Sequence, residues 1–411
     1  MQIEVRDWLK ANWRADRSLL EWRNILVESG WGVPCWPQQW YGRGLPAEME
    51  TVINSEFAEA GALGVARAGI RMLAAATLLE HGNDAHKEKF LRRILTGEDN
   101  WCQLFSEPGS GSDLAGATTR AELKDGQWII NGQKLWTTSA HHAEYGLLLA
   151  RTDWGLPKHQ GLSYFVIDMR QPGVEVQPLR QMNGHASFNQ VFFDNAVIDP
   201  ENQVGTLGEG WKVAMTTLAH ERRSADGFRN WGKVASGEGA IFDEERAENE
   251  VLNEPYKWYP QRAGRVDLVL QRAKDSGLIA DLRVRQEIAT LMILSETAKW
   301  TAQRARAAQQ LGRPQGPEGS LGKLAGSHIA CAASRVHTLL GGAEAMLTGE
   351  NSEMQGLISE ILLSVPATSI AGGTDEIQRN IIAERVLGMP KEPRFDTGPF
   401  RDVPRSVQRK D

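Results

Sequence analysis

A loop rich in hydroxyl groups and glycines is the first place in the chain where residue types and spacing could support chemistry. The segment Phe105-Ser106-Glu107-Pro108-Gly109-Ser110-Gly111-Ser112-Asp113 directly follows an apolar run. Its closely spaced backbone N–H groups and short side-chain donors suit the carbonyl edge of a planar ring such as a flavin, together with an adjoining phosphate. An ordinary serine-rich turn explains this segment equally well when it is taken alone. The glycines do not form a GxGxxG dinucleotide fingerprint, because the third glycine is misplaced.

An indole and a hydroxyl lie two positions apart in a second segment, Asn131-Gly132-Gln133-Lys134-Leu135-Trp136-Thr137-Thr138-Ser139. This segment follows a hairpin-like strand, and it could place Trp136 against a ring system with the Thr138 hydroxyl close by. Taken alone, Trp136 is more readily interpreted as a core aromatic, because an indole buries a large area wherever it lies. The two segments together favour a flat, phosphate-bearing cofactor.

A carboxylate within an apolar helical stripe is the third candidate. The sequence reads Leu218-Ala219-His220-Glu221-Arg222, and Ala214, Leu218 and Glu221 follow i, i+4, i+7 spacing. On a helix these three residues share one face, so Glu221 is predicted to lie among apolar side chains. The alternative is a surface ion pair with Arg222 or Arg223.

The elements that must position these residues fall into a clear order along the chain. Helical apolar spacing predicts an N-terminal helical domain over residues 1–99, and short strands between turns predict a middle β domain over 100–208. Helical spacing returns in a C-terminal domain over 209–390, with a surface insertion at about 224–267 and an extended tail at 391–411. Strands grouped between helices predict an α+β fold and argue against alternating βαβ units.

Composition narrows the function further. The 411-residue chain has 46 Lys+Arg against 52 Asp+Glu, a formal net charge of −6, which offers no basic field for nucleic acid. Its three cysteines show no CxxC spacing, so neither a disulfide framework nor a thiolate metal site is expected, and a reducing cytoplasm fits. There is no HExxH motif, no metal site is predicted, and no uninterrupted apolar stretch approaches the ~18 residues of a membrane span.

These segments, with Gly341-Gly342 and Ile370-Ala371-Gly372-Gly373-Thr374-Asp375-Glu376-Ile377-Gln378-Arg379, resemble the acyl-CoA dehydrogenase family over nearly the whole chain. The resemblance implies a helical domain, a β domain and a C-terminal four-helix domain, with FAD between the last two. It implies that Ser106 contacts the flavin pyrimidine edge and Ser112 the pyrophosphate. It also implies that Trp136 covers one flavin face and Thr138 donates to flavin N5. The other implied cofactor contacts are Phe105, Gly111, Gly341, Gly342, Thr374 and Glu376.

The family uses a glutamate as the base that removes the C2 proton of the thioester, at one of two positions. The resemblance places Gly372 at the commoner position, and glycine cannot act as a base. The alternative position falls on Glu221, which is therefore the predicted base, with Arg222 beside the active site. The backbone N–H of Gly372 is expected to donate to the thioester carbonyl and to stabilise the enolate-like transition state.

Two departures from the family pattern bear on assembly. An Arg-x-x-Phe-Gly segment that reaches a neighbouring subunit's cofactor is replaced around Gly277 by Ala273-Lys274-Asp275-Ser276, and a glutamine before the Gly-Gly pair is replaced by Thr338. These losses predict either a hetero-oligomer with a related chain or a homo-oligomer with altered adenine contacts. The expected partners are an acyl-CoA substrate, somewhat favouring a branched, cyclic or sterol-derived acyl group, and an electron-transferring flavoprotein. An oxygen-using oxidase and a non-catalytic structural subunit are the alternatives.

Overall fold

The computed structural model describes residues 1–224, 237–313, 316, 318–394 and 396–404. Five helices precede the first strand: α1 (Gln2–Asn12), α2 (Leu19–Ser29), α3 (Met49–Glu59), α4 (Arg71–His81) and α5 (Asp84–Thr96). Serine and asparagine caps start two of them, since Ser18 accepts from the Glu21 N–H and Asn83 forms a capping box with His86. The apolar faces of α1, α2 and α3 pack around Trp22, whose indole is fully buried and donates to the Leu63 carbonyl.

A largely antiparallel sheet follows the helices. Its strands are β1 (Trp101–Leu104), β2 (Arg120–Lys124), β3 (Gln127–Thr138), β4 (Tyr145–Arg151), β5 (Leu162–Asp168), β6 (Val174–Leu179), β7 (Phe188–Ile198) and β8 (Gln203–Val204). The strand order is β6-β7-β3-β2-β4-β5-β8, and β1 pairs with β4 in parallel. Leu147 and Leu149 of β4 pack against the helices, whereas Leu148 faces a second core with Phe165 and Val191. Burial on both faces explains why the β4 sequence is a continuous apolar run.

Two helices after the sheet pack back onto these elements. Helix α6 (Gly210–Ser224) contributes Val213 and Ala214 to the core shared by α4, α5 and the sheet. Helix α7 (Ala240–Asn253) lies inside the segment expected to be a surface insertion. That interpretation was wrong for α7, because Ile241 and Phe242 are buried in the core of the N-terminal helices. The part of the predicted insertion at 225–236 lies outside the described residues.

A two-arginine clamp explains why the polar helix α7 docks on the N-terminal helices. Arg23 Nη2 donates to Glu248 Oε2 at 2.6 Å, and Arg71 Nη1 donates to Glu248 Oε1 at 2.5 Å. Both arginines are buried. Burial of Glu248 would raise the pKa of its carboxyl, but the two guanidinium groups outweigh that effect and hold the pKa below its ordinary value. Removal of Glu248 would leave two buried cations unpaired, a costly arrangement.

The remaining helices are α8 (Tyr259–Arg262), α9 (Val266–Asp275), α10 (Leu282–Gln310), α11 (Glu318–Gly341), α12 (Leu357–Ser364), α13 (Pro366–Ile370) and α14 (Asp375–Arg385). Helices α9, α10 and α11 share a core that includes Val269, Leu291 and Val336. Residues 353–385 are long and apolar enough to cross a membrane by length and composition alone. The structure divides this stretch into shorter helices broken by the turn at Gly372-Gly373, whereas a spanning helix needs about 20 continuous residues.

The chain forms two compact units. The first comprises Met1–Leu179, Ala186–Pro255 and Phe395–Asp411, and the second comprises Arg180–His185 and Tyr256–Arg394. The predicted α+β class is confirmed, with helices before and after a single run of strands.

Candidate functional site

The predicted cofactor loop, residues 105–113, begins where β1 ends, in the first compact unit. Phe105 is buried and meets Tyr164 edge-on at 5.9 Å between ring centroids. A tight turn follows, because the Glu107 and Ser110 N–H groups each donate to the other residue's carbonyl, at 2.9 and 3.0 Å. Gly111 and Ser112 lie on the exposed outer side of this turn. Residues 107–110 therefore form a closed turn, and Gly111 and Ser112 form the exposed rim of the loop.

A buried ion pair, which the sequence did not reveal, attaches this loop to β3. The Lys134 ammonium, 0% exposed, donates to Glu107 Oε1 at 2.8 Å and to the carbonyls of Phe105 and Leu149 at 3.0 and 2.7 Å. Burial would raise the pKa of Glu107, but Lys134 and donors from residues 118–119 outweigh it and lower that pKa to about 2. Both residues belong to the two segments that the sequence analysis proposed for cofactor binding. The local sequence of either segment gave no sign that these two charges pair with each other.

The predicted indole projects from a β-bulge on β3. The register with β7 shifts between Lys134 and Thr137, and Trp136 takes a left-handed backbone with φ 61°. Its side chain is 53% exposed, so the core-aromatic interpretation is wrong. The Leu135 N–H donates to the Ser106 carbonyl at 2.8 Å, which ties the bulge to the cofactor loop. The structure thus brings the loop and the indole segment together.

The atoms around this loop and bulge fit a flat cofactor that carries phosphate. The Trp136 indole meets Phe188 in a T-shaped contact at 5.6 Å between ring centroids and remains 53% exposed, and half-buried Thr138 lies two residues further along β3. Among the described residues, the backbone N–H groups of Ser106, Gly111 and Ser112 have no protein acceptor. A Cβ at Gly111 would meet nothing within 4 Å, so this rim is open to a ligand. Such donors on an open rim match the needs of a phosphate.

Helix α6 carries Glu221 and is fixed tightly against the sheet. A Cβ at Gly210, where the helix begins, would lie 2.4 Å from the Ser163 carbonyl carbon, so only glycine allows this approach. One turn before Glu221, the buried Thr217 hydroxyl lies 3.0 Å from the Tyr164 hydroxyl and 3.0 Å from that of Thr77. These contacts lock the helix to β5 and α4.

The Glu221 carboxylate is half-buried and lies beside β1. Gln103 Nε2 of that strand is 3.4 Å from Glu221 Oε2, three residues before Ser106. Ala214 is buried and Leu218 packs against the core, as the predicted apolar stripe requires. Arg222 continues α6, and its side chain lies outside the described residues.

The other predicted site residues lie in the second unit, at two turns. Gly342 follows α11 with φ 52°, and Gly372 precedes α14 with φ 68°, conformations that favour glycine. The Thr374 hydroxyl caps α14 by accepting from the Ile377 N–H at 3.2 Å, while Glu376 is exposed in the first turn. Gln378, to which the sequence analysis gave no role, donates to the carbonyls of Gly372 and Gly373, each at 3.3 Å.

A buried arginine underlies the Gly341-Gly342 turn. Arg272 donates to Glu353 Oε1 through Nη2 at 2.5 Å, and its Nη1 lies 2.6 Å from His337 Nδ1. Burial and the Arg272 charge both lower the pKa of His337, which favours the neutral ring as an acceptor. A Cβ at Gly341 would lie 3.2 Å from Glu353 Oε2. The guanidinium is therefore committed to a network within its own unit.

Three models of known domains match this chain. They are the acyl-CoA dehydrogenase N-terminal domain over residues 2–98, the middle domain over 102–196 and the C-terminal domain over 265–387. Within the described ranges, no group of three or more His, Cys, Asp or Glu residues could hold a metal ion.

Individual relatives agree with these models. The acyl-CoA dehydrogenase IpdE1 of Mycobacterium tuberculosis is 33% identical over 416 residues, which cover 95% of this chain and 97% of that protein. The acyl-CoA dehydrogenase FadE34 of the same organism is 35% identical over 372 residues, covering 89% of this chain but only 46% of its own length. The solved Tcur3481-Tcur3483 steroid ACAD shares the fold with a TM-score of 0.66 and 23% identity, over 95% of this chain and 97% of that one.

Proposed function

Because this chain belongs to the acyl-CoA dehydrogenase family, we propose that it dehydrogenates an acyl-CoA thioester to the 2-enoyl-CoA with the help of FAD. When bound, the flavin supplies the acceptor for the hydride that leaves C3. Trp136 would hold the flavin by contact with one face of its ring, and the Thr138 hydroxyl would donate a hydrogen bond to the ring. The loop from Ser106 to Ser112 donates to the pyrimidine edge and the pyrophosphate. The open, donor-rich rim of that loop supports this assignment.

Glu221 takes the C2 proton in this proposal. One observation carries the assignment: the carboxylate lies beside β1, 3.4 Å from Gln103, and β1 runs directly into the cofactor loop at Ser106. Glu221 and the cofactor loop thus belong to the same compact unit and are linked through β1. The attachment of α6 through Thr217 fixes the part of the helix that carries Glu221, as a positioned base requires.

The Gly372 N–H is proposed to donate to the thioester carbonyl. A backbone donor needs no side chain, so the absence of a carboxylate at this position costs the site nothing in its oxyanion function. The left-handed conformation of Gly372 and the hold of Gln378 on its carbonyl fix the direction of the peptide groups at this turn.

The proposed acyl group is branched, cyclic or sterol-derived, and the proposed electron acceptor is an electron-transferring flavoprotein. The family analogy for a helix-borne base supports the bulky substrate, as does the fold shared with a steroid ACAD. That solved assembly pairs Tcur3481 with Tcur3483, which supports a mixed assembly here as well. The commitment of Arg272 to Glu353 and His337 gives the same indication, because this guanidinium is turned toward its own unit.

Replacement of the base tests the proposal directly. The protein, purified with any partner, is titrated with acyl-CoA thioesters while flavin absorbance is followed. Glu221→Gln is expected to retain flavin but to bleach about 10²–10⁴-fold more slowly, because the proton acceptor is lost. Glu209→Gln is the matched control, since Glu209 is exposed and pairs with Lys212 at 3.7 Å just before the same helix. Wild-type bleaching by Glu221→Gln would place the base elsewhere.

A further inference from the structure

The C-terminal arm, residues 396–404, returns to the β domain. The Phe400 N–H donates to the Leu156 carbonyl at 2.9 Å, and the Arg401 N–H donates to the Trp154 carbonyl at 3.0 Å. The Phe400 side chain is only 2% exposed. An aromatic anchor and two backbone hydrogen bonds indicate that the arm is docked on the loop after β4.

One route of contacts leads from this anchor to the end of the cofactor loop. The Phe400 ring lies 3.4 Å from the Arg151 guanidinium carbon, measured to the ring centroid, in a buried cation–π contact. Arg151 is fully buried and donates to the Ala115 carbonyl at 2.6 Å and to the Ala117 carbonyl at 2.9 Å. Both carbonyls belong to the short segment that follows the cofactor loop after Asp113. The arm therefore covers the guanidinium that holds this following segment.

A second, independent route passes through Lys158. Its ammonium donates to Asp113 Oδ1 at 2.8 Å and also forms an ion pair with Asp396 of the arm. Lys158 itself is buried, whereas the Asp113 side chain is largely exposed at the end of the cofactor loop. The other Asp113 oxygen lies 3.0 Å from the position that a Cβ on Gly116 would take, so the carboxylate is folded back over the chain. Lys158 keeps that negative charge directed toward the arm.

We propose that the C-terminal arm is a working part of the cofactor site, in which Asp396 and Lys158 are positioning residues for the phosphate-binding rim. The inference rests on the proposed function, since the rim is assigned to the FAD pyrophosphate. A free Asp113 carboxylate beside a diphosphate would repel it, because like charges within a few ångströms of each other raise each other's energy. Lys158, oriented by Asp396, holds the carboxylate away, while Phe400 and Arg151 fix the carbonyls behind it.

Affinity for two flavins separates this role from a general loss of stability. The apoprotein is titrated with FAD and with riboflavin, which has no phosphate, by quenching of flavin fluorescence. Asp396→Asn and Phe400→Ala are expected to raise the Kd for FAD about ten-fold and to change the riboflavin Kd less than three-fold. Asp402→Asn removes the same charge from an exposed position on the same arm and is expected to behave as wild type. Equal weakening of both flavins, or wild-type FAD affinity in Asp396→Asn, would overturn the proposal.

Two further measurements make the charge argument specific. Lys158→Met is expected to weaken FAD binding, and Asp113→Asn added to it is expected to restore most of the affinity, because the repelling carboxylate is gone. A double variant as weak as Lys158→Met contradicts this role. Amide hydrogen exchange of residues 111–117 in the apoprotein is expected to be faster in Asp396→Asn than in wild type. Unchanged exchange would refute the proposed role of the arm in holding these residues. This exchange measurement needs no flavin, so it separates a failure of the arm to hold residues 111–117 from a failure of the proposed function.

Discussion

At the scale of single residues, the Lys134–Glu107 pair matters most to the site. Each charge is buried, and each is also satisfied by neighbouring backbone or hydroxyl groups: Lys134 by the carbonyls of Phe105 and Leu149, and Glu107 by Thr118 and Thr119. A buried pair of this kind contributes little net free energy, but removal of one partner is costly because the other charge is left uncompensated. Through its bonds to Phe105 and Glu107, Lys134 ties the Ser106 loop to β3.

Lys134→Met is expected to lower the free energy of unfolding by about 3–5 kcal/mol, because Glu107 would be left buried and unpaired. Denaturant unfolding of the apoprotein measures this change. Addition of Glu107→Gln is expected to recover part of the loss, since the uncompensated charge disappears. A Lys134→Met variant as stable as wild type would mean that water reaches Glu107.

The same carboxyl predicts an acid-sensitive stability. The pKa of Glu107 is about 2 in the folded chain against an ordinary value of 4.5, so the folded state binds fewer protons than the unfolded state in that interval. The stabilising contribution is complete above about pH 4.5 and is lost as the pH falls toward 2. Unfolding free energies measured across this range should decline less steeply in Glu107→Gln than in wild type. Equal slopes would contradict the assignment.

At the scale of elements, the bulge in β3 presents Trp136 at the expense of backbone strain. A left-handed φ costs a residue with a Cβ roughly 1 kcal/mol relative to glycine, and such strain is typical of functional positions. The bulge is held from both sides by the Leu135–Ser106 hydrogen bond and by the register with β7. The left-handed backbone at Trp136 thus destabilises the strand locally, and it places the indole where a cofactor can contact it.

Trp136→Gly and Trp136→Ala distinguish this strain from the function of the ring. Both variants are expected to weaken flavin binding, because the exposed indole is lost. The glycine variant of the apoprotein is expected to be about 1 kcal/mol more stable than the alanine variant, since only glycine adopts φ 61° freely. Thermal or denaturant unfolding of the two apoproteins tests this. Equal stabilities would mean that the bulge relaxes when the indole is removed.

At the scale of the whole molecule, the second unit carries the residues that bear on assembly. Arg272, which precedes Ala273 in the segment that departs from the family pattern, is bound to Glu353 and His337 beneath the Gly341 turn. This position supports the proposal that a related chain completes the adenine end of the cofactor site.

Co-expression with a related chain encoded nearby tests the mixed assembly. The two chains are expected to co-purify and to hold more flavin per chain than this protein expressed alone, because the partner supplies the missing contacts. Size-exclusion chromatography with flavin absorbance measures both quantities. A stable homo-oligomer that holds a full complement of flavin would contradict the mixed assembly and would leave the proposed chemistry of Glu221 standing.

The sequence by itself determined the order of helices, strands and helices, and it marked the Ser106 loop and the Trp136 segment. These features are local: periodicity reports burial of one face or both, as in Leu147–Ala150, and a turn's residue types report its backbone. For the same reason, the apolar stripe of Ala214 and Leu218 could be read directly from spacing.

Only the tertiary structure decided the features that depend on partners distant in the chain. Helix α7 is polar and lacked a clear period, and it docks because Glu248 meets Arg23 and Arg71, the latter 177 residues away in sequence. Trp136 is exposed because a bulge turns it outward, and Lys134 is buried because Glu107 lies opposite. From sequence alone a charged residue is predicted to be exposed, because the residue that neutralises it is brought close only by folding.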